Sequence, residues 1–148
     1  MKLILFGASG MVGSGTLREA LADPEIEAVL TIGRRSCGVQ HVKLHELLIP
    51  DLFEFRSIEP DCVGWDACVW ALGISSVGLN EARYAKITEE LTLLWARTLL
   101  RLNPDFSFCY CSAGGAGGRS RTSPPITLRQ GLQGARSQAA TSRFLRSS

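Results

Sequence analysis

The feature that most restricts the fold of this chain is a glycine-spaced turn near its start. A short apolar run from Lys2 to Phe6 predicts a strand, and a helical pattern begins near Met11 and ends by Asp23-Pro24. The turn that joins them is Gly7-Ala8-Ser9-Gly10-Met11-Val12-Gly13. A strand that enters a helix through such a turn is typical of the first unit of a parallel α/β sheet.

Each glycine of this turn has a physical role. Gly7 permits the tight turn, Gly10 lets backbone amides approach a ligand, and Gly13 lets the helix lie close to the sheet. The amino terminus of a helix carries positive potential, which favours a phosphate group. We therefore interpret residues 7–13 as a pyrophosphate-binding turn for a dinucleotide. The alternative is that the glycines only form a turn.

Further apolar runs predict four more strands. They extend from Ala28 to Ile32, from Glu46 to Ile49, from Asp66 to Leu72 and from Phe106 to Cys111. Because most of these runs are continuously apolar, the sheet should be parallel and covered on both faces. The prediction is a Rossmann-like, doubly wound α/β fold with about five strands in the order 3-2-1-4-5. A ligand is then expected at the carboxyl ends of strands 1 and 4.

A long helix is predicted between the fourth and fifth strands. Asn80 is its expected cap, and Asn103-Pro104 ends it. Its apolar positions recur at steps of three and four residues: Tyr84, Ile87, Leu91, Leu94, Thr98 and Leu102.

The charge distribution divides the 148 residues into a body and a tail. Residues 1–118 contain all 14 acidic residues, whereas residues 119–148 contain six arginines and no acid. We predict a dinucleotide-binding domain over 1–118 and a poorly ordered basic tail over 119–148. The tail has two alternatives, a helix packed on the fifth strand and a contact with nucleic acid, of which the second is the least favoured.

The cysteines indicate no disulfide framework and no metal site. Five are present, at positions 37, 62, 68, 109 and 111, without a C-x-x-C pair, and reduced thiols are the simpler interpretation. Cys37, His41 and His45 are spaced by four residues, but Gly38 argues against the helix that would align them as metal ligands. No apolar run is long enough for a membrane span, and the early glycine turn argues against a signal peptide. We expect a soluble, cytoplasmic protein.

The end of the second strand bears on the choice of dinucleotide. Proteins specific for NAD usually place an acid there, and this sequence has Gly33-Arg34-Arg35 instead. Guanidinium groups match a ribose phosphate in charge and geometry. NADP(H) is therefore the preferred prediction and NAD(H) the alternative, unless the two arginines are only solvated surface.

Taken together, these motifs resemble the short-chain dehydrogenase/reductase superfamily. The resemblance is to its atypical NAD(P)H-binding branch, which includes epimerase-like and Tat-interacting-oxidoreductase-like proteins, and it covers about residues 1–114. It depends on the glycine turn, on Gly33-Arg34-Arg35, on Asp51-Leu52, on Ala71-Leu72-Gly73 and on Ser112. The resemblance implies an oxidoreductase or epimerase that transfers hydride to or from a nicotinamide.

The resemblance also implies roles for individual residues. Asp51 and Leu52 would lie against the adenine, and Ala71, Leu72 and Gly73 would follow the ribose and the diphosphate. Ser112 would be the catalytic serine that holds a substrate carbonyl. A simple turn residue is the alternative for Ser112.

The sequence departs from the family where proton transfer should occur. The family uses Tyr-x-x-x-Lys, whereas the two tyrosines here are Tyr84 and Tyr110, and Lys86 follows Tyr84 by only two positions. We expect impaired catalysis; the alternative is a non-catalytic module that senses the cofactor or contacts a protein.

The family also continues beyond this length, which suggests a truncated gene or a reading-frame change near Gly117. An uncovered face on strands 4 and 5 would then favour self-association.

Overall fold

The computed structural model describes residues 1–72 and 81–111, the second range without the side chains of residues 81–86. In chain order the elements are β1 (Lys2–Phe6), α1 (Met11–Ala22), β2 (Ala28–Gly33), β3 (Leu44–Leu48), a 3-10 helix (Arg56–Cys62), β4 (Ala67–Trp70), α2 (Glu81–Leu102) and β5 (Ser107–Tyr110). The predicted Asn80 cap, the tail over 119–148 and the boundary at residue 118 lie outside the described residues.

The described strands form one parallel sheet in the order β3-β2-β1-β4-β5. The predicted fold class and strand order are therefore confirmed. The third strand begins two residues earlier than predicted, because Leu44 and His45 already pair with Val29 and Leu30. His45 and Glu46 interrupt the apolar pattern, so the pattern did not reveal the earlier start of β3. The side chains of β3 are partly or fully exposed, which is typical of a strand at the edge of a sheet.

Residues of β1 alternate between two cores because successive side chains of a strand point to opposite faces. Leu3 and Leu5 belong to a cluster with Leu17 of α1, and Ile4 and Phe6 belong to the second cluster. All four β1 side chains are fully buried. Helices thus cover both faces of the central strand, as a doubly wound sheet requires.

The second core contains the buried face of α2. Leu91 lies there as predicted, together with Trp95 and Leu99, which the predicted apolar stripe did not include. The ring centroids of Phe6 and Trp95 are 4.8 Å apart, and those of Phe6 and Trp70 are 4.5 Å apart. This aromatic cluster fixes α2 against the carboxyl half of β1.

Asn103 ends α2 and connects it to the turn before β4. Its Oδ1 accepts hydrogen bonds from the amides of Gly64 (2.8 Å) and Trp65 (3.1 Å). Its Nδ2 donates to the carbonyls of Cys62 (2.9 Å) and Leu99 (3.1 Å). Because the residue is buried, these four bonds satisfy the whole amide inside the protein.

Within the described ranges, no helix is long and apolar enough to cross a membrane.

Candidate dinucleotide site

The glycine turn follows β1 and lies directly against the end of β4. Gly7 has a φ of 77°, in the left-handed region that favours glycine. A Cβ atom at this position would be 2.4 Å from the carbonyl oxygen of Ala71. The same end of β4 is joined to β1 by a hydrogen bond from the amide of Ala71 to the carbonyl of Phe6 (3.1 Å). A side chain at position 7 is therefore excluded by the backbone that directly follows β4.

Gly13 brings α1 equally close to the turn. A Cβ atom there would be 1.8 Å from the Gly7 carbonyl oxygen and 3.0 Å from Cα of Ala8. Gly10 differs from both, since its Cβ would meet the Gly7 oxygen at 3.4 Å, an ordinary contact distance. The amide of Gly10 instead donates to the Gly7 carbonyl at 3.0 Å, which closes the turn.

The first turn of α1 has an open amino terminus. Gly10 is its N-cap, in an extended conformation, and no side chain caps the helix. The Met11 and Val12 side chains are 93% and 58% exposed, so they do not fill the space in front of these amides. Uncapped amides at a helix amino terminus can donate to an anion.

A cleft of about 330 Å³ opens at the carboxyl ends of the strands. Its walls come from the glycine turn, from the ends of β2 and β3, and from the segment that follows β4. The lining residues are Gly7, Ala8, Ser9, Gly10, Thr31, Ile32, Gly33, Arg34, Arg35, Cys37, Glu46, Leu48, Leu52, Ala71 and Leu72. Most of the residues that the sequence singled out are thus brought to one place, whereas Met11, Val12, Gly13 and Asp51 lie outside the lining.

Arg34 and Arg35 lie on the rim of this cleft, directly after β2. Both side chains are exposed, and neither forms an ion pair with an acid among the described residues. Both residues thus lie at the end of β2 beside the cleft, and their contact with a ribose phosphate stays a prediction.

Glu46 is a cleft residue that the sequence analysis did not select. It lies on β3 opposite Thr31 of β2, and its carboxylate accepts hydrogen bonds from the Ser36 hydroxyl (2.9 Å) and the Cys37 amide (2.7 Å). Partial burial raises the pKa of Glu46, but these hydrogen bonds outweigh it, and the net pKa is below the usual value. The predicted strand order already placed β3 beside β2, and this adjacency was the signal for an acid near Arg34.

Of the two residues predicted to contact the adenine, Asp51 and Leu52, only Leu52 lines the cleft. Leu52 is buried and lines the cleft, and its carbonyl accepts a hydrogen bond from Nε1 of Trp95 (2.9 Å). Asp51 is exposed, and its carboxylate accepts from the Phe53 amide (2.9 Å), which stabilises the turn after β3. A direct cofactor contact by Asp51 stays a prediction.

The segment after β4 forms the part of the cleft wall next to the glycine turn. Ala71 and Leu72 belong to the lining, and both are partly buried. Gly73 and Ser112, which the sequence also selected, lie outside the described residues. The last described neighbour of Ser112 is Cys111, whose amide donates to the Trp70 carbonyl at 2.9 Å.

Two half-buried thiols lie two residues apart at the end of β5. Cys109 and Cys111 both pack against the core cluster that includes Ala8 and Val69. The neighbouring Cys111 thiol lowers the pKa of Cys109 to about 7, against a smaller opposing effect of burial. The same contact raises the pKa of Cys111. Cys109 is thus the thiol that ionises first.

No protein-family model matches the sequence, and no curated protein matches it. Solved structures do resemble it. A short-chain dehydrogenase family protein from Francisella tularensis has a TM-score of 0.59 and 14% sequence identity, over 95% of this chain and 60% of that protein. Uronate dehydrogenase from Agrobacterium tumefaciens has a TM-score of 0.62 and 16% identity, over 80% of this chain and 43% of that one.

UDP-glucuronic acid 4-epimerase from Bacillus cereus has a TM-score of 0.59 and 15% identity, over 99% of this chain and 52% of the epimerase. The chain has a Rossmann-like fold. At such low identities the likeness extends to the fold alone. The chain spans between 43% and 60% of the length of these three proteins.

Proposed function

We propose that this chain binds a nicotinamide dinucleotide in the cleft, with NADP(H) preferred to NAD(H). The proposal rests on two close backbone contacts in the glycine turn, one at Gly7 and one at Gly13. A Cβ atom at either position would meet backbone at 2.4 Å or less, so the turn can form only with glycine there. The first four residues of this turn line the cleft, and no side chain caps the end of α1 that follows them.

Backbone amides of the first turn of α1 would hold the two linked phosphates, since no capping side chain competes for them. Leu52, Ala71 and Leu72 provide apolar parts of the cleft wall. The bound group would supply hydride transfer at its nicotinamide ring. Solved structures of the Bacillus cereus epimerase and of a uronate dehydrogenase variant contain NAD, which supports a nicotinamide dinucleotide as the ligand class.

The preference for NADP(H) depends on Arg34 and Arg35. Two exposed cations on the rim of the cleft, with no described acid paired to them, favour a ligand that carries an additional phosphate. Because each arginine offers a fork of N–H donors, a ribose phosphate can receive charge-assisted hydrogen bonds from them.

Equilibrium titration of the full chain with NADPH and NADH tests this proposal. Reversing the charge in Arg34→Glu should weaken NADPH binding by about 10- to 100-fold, since hydrogen bonds to charged groups contribute ~1.5–3 kcal/mol. NADH binding should change little. Arg97→Glu, an exposed arginine of α2 outside the cleft lining, is the matched control for net charge. Failure of the wild-type chain to bind either dinucleotide would overturn the proposal.

We further propose that catalysis is impaired and that the chain acts as a dinucleotide-binding module. The absence of a Tyr-x-x-x-Lys pair from the sequence favours this function over that of a full oxidoreductase or epimerase. In a panel of carbonyl substrates, the chain should bind NADPH without oxidising it. Steady NADPH oxidation that disappears in Ser112→Ala would contradict the module and restore the enzyme.

A further inference from the structure

We infer that Glu46 is a positioning residue that sets the preference between NADPH and NADH by fixing the turn that carries Arg34 and Arg35. The inference rests on the proposed function, because it concerns the adenosine side of the same cleft. It adds a residue on a different strand, which contacts the arginine-bearing turn through hydrogen bonds and not through the ligand.

The hydrogen bonds of Glu46 connect β3 to the turn at two atoms. One carboxylate oxygen accepts from the Ser36 hydroxyl at 2.9 Å and the other from the Cys37 amide at 2.7 Å. The Ser36 hydroxyl oxygen in turn accepts from the amide of Gly38 at 3.1 Å, and Gly38 has a φ of 71°. A carboxylate with both oxygens engaged fixes position and orientation together.

Backbone pairing between β2 and β3 stops just before the arginines. Its last bond runs from the amide of Ile49 to the carbonyl of Gly33, at 2.9 Å. Arg34 and Arg35 therefore form a two-residue span, held at one end by Gly33 and at the other by the bonds of Glu46 to Ser36 and Cys37. Their exposed side chains have no described ion-pair partner that would hold them independently.

The hydrogen bonds of Glu46 direct its carboxylate toward the turn, since each oxygen accepts one bond from it. Each oxygen also has a second lone pair, so these bonds orient the carboxylate without using its whole acceptor capacity. Removing the two bonds would loosen the arginines, which favours NADH relative to NADPH.

Two substitutions of Glu46 distinguish the effect of its hydrogen bonds from the effect of its charge. Glu46→Ala removes both bonds. Glu46→Gln removes the charge but retains an oxygen for the Cys37 amide and a donor for the Ser36 hydroxyl, which can accept as well as donate. We expect the ratio of NADPH to NADH affinity to fall about tenfold in Glu46→Ala, because the arginines lose their preorganisation. The ratio should stay near the wild-type value in Glu46→Gln.

His45→Ala is the matched control. His45 precedes Glu46 on β3, is exposed, and lies outside the cleft lining. Its substitution should leave the affinity ratio unchanged. A ratio in Glu46→Ala equal to that of wild type, or an equal loss in Glu46→Gln, would overturn the inference while wild-type binding upholds the proposed function. Absence of wild-type binding would overturn both.

Limited tryptic cleavage of the native full chain tests the hydrogen-bonded turn without a ligand. Trypsin cleaves after arginine, so loosening this turn should raise the cleavage rate after Arg34 and Arg35 by about tenfold in Glu46→Ala. Glu46→Gln and His45→Ala should be cleaved at nearly the wild-type rate. Equal cleavage rates in Glu46→Ala and wild type would show that Glu46 does not hold the turn, whatever the chain binds.

Discussion

Replacing Gly13 by alanine should separate α1 from the glycine turn. The added Cβ would lie 1.8 Å from the Gly7 carbonyl oxygen and 2.5 Å from its carbonyl carbon. Both contacts are with backbone, so no side chain can rotate away, and the helix or the turn must move by roughly 1 Å in a close-packed interior.

The expected cost follows from two opposing effects. Overpacking of this kind costs ~1–3 kcal/mol and occasionally more, and a contact this short with backbone belongs at the upper end. The higher helix propensity of alanine offsets ~1 kcal/mol of this loss in the free energy of unfolding. Gly13→Ala should therefore lower the free energy of unfolding by at least ~2 kcal/mol, which is about 30-fold in the unfolding equilibrium.

Gly15→Ala provides the matched control in the same helix. Gly15 is exposed, and a Cβ atom there would meet nothing within 4 Å. This substitution should raise the free energy of unfolding by ~0.5–1 kcal/mol. Urea denaturation followed by tryptophan fluorescence measures both variants, since Trp70 and Trp95 are buried. Equal stabilities of Gly13→Ala and Gly15→Ala would refute the close packing between α1 and the turn.

Two further predictions concern other parts of the molecule. Asn103→Ala removes four hydrogen bonds at a buried position and should destabilise the protein by ~3 kcal/mol or more, measured as a lower urea midpoint with an unchanged slope. Cys109 should react with iodoacetamide at a rate that reaches half its maximum near pH 7, because the neighbouring Cys111 thiol stabilises its thiolate. Cys111→Ala removes this donor and should raise the midpoint, so a midpoint unchanged by that substitution would contradict a role for the Cys111 thiol.

The strand order was predictable because it follows from a few strong rules. Continuous apolar runs at Lys2–Phe6 and Ala28–Gly33 require burial on both faces, and parallel neighbours require right-handed crossovers. The glycine turn was predictable for a related reason. Only glycine tolerates the backbone contacts found at Gly7 and Gly13. The spacing of these glycines in the sequence therefore predicts that α1 and the end of β4 lie close to the turn.

Features that arise from contacts between distant residues were not predictable in this way. Glu46 is one residue of an edge strand, and its significance depends on a turn ten residues earlier in the chain. Asn103 was identified as a helix end from the proline that follows it, whereas its four hydrogen bonds involve residues that local patterns do not connect. The 3-10 helix Arg56–Cys62 contains Pro60 and has no apolar period, so no helical pattern marked it.

The register of the central strand constrains how the molecule assembles during synthesis. β1 leaves the ribosome before its partners, yet one of its edges pairs with β4, and the Lys2 amide donates to the Asp66 carboxylate 64 residues further along. At about 5–20 residues per second, that separation corresponds to roughly 3–13 s of translation. During this interval the edge of β1 that later pairs with β4 has no partner, although four of the five residues of the strand are apolar. An unpaired apolar edge is a site for non-native strand pairing, so early pairing with β2 protects only one side of β1.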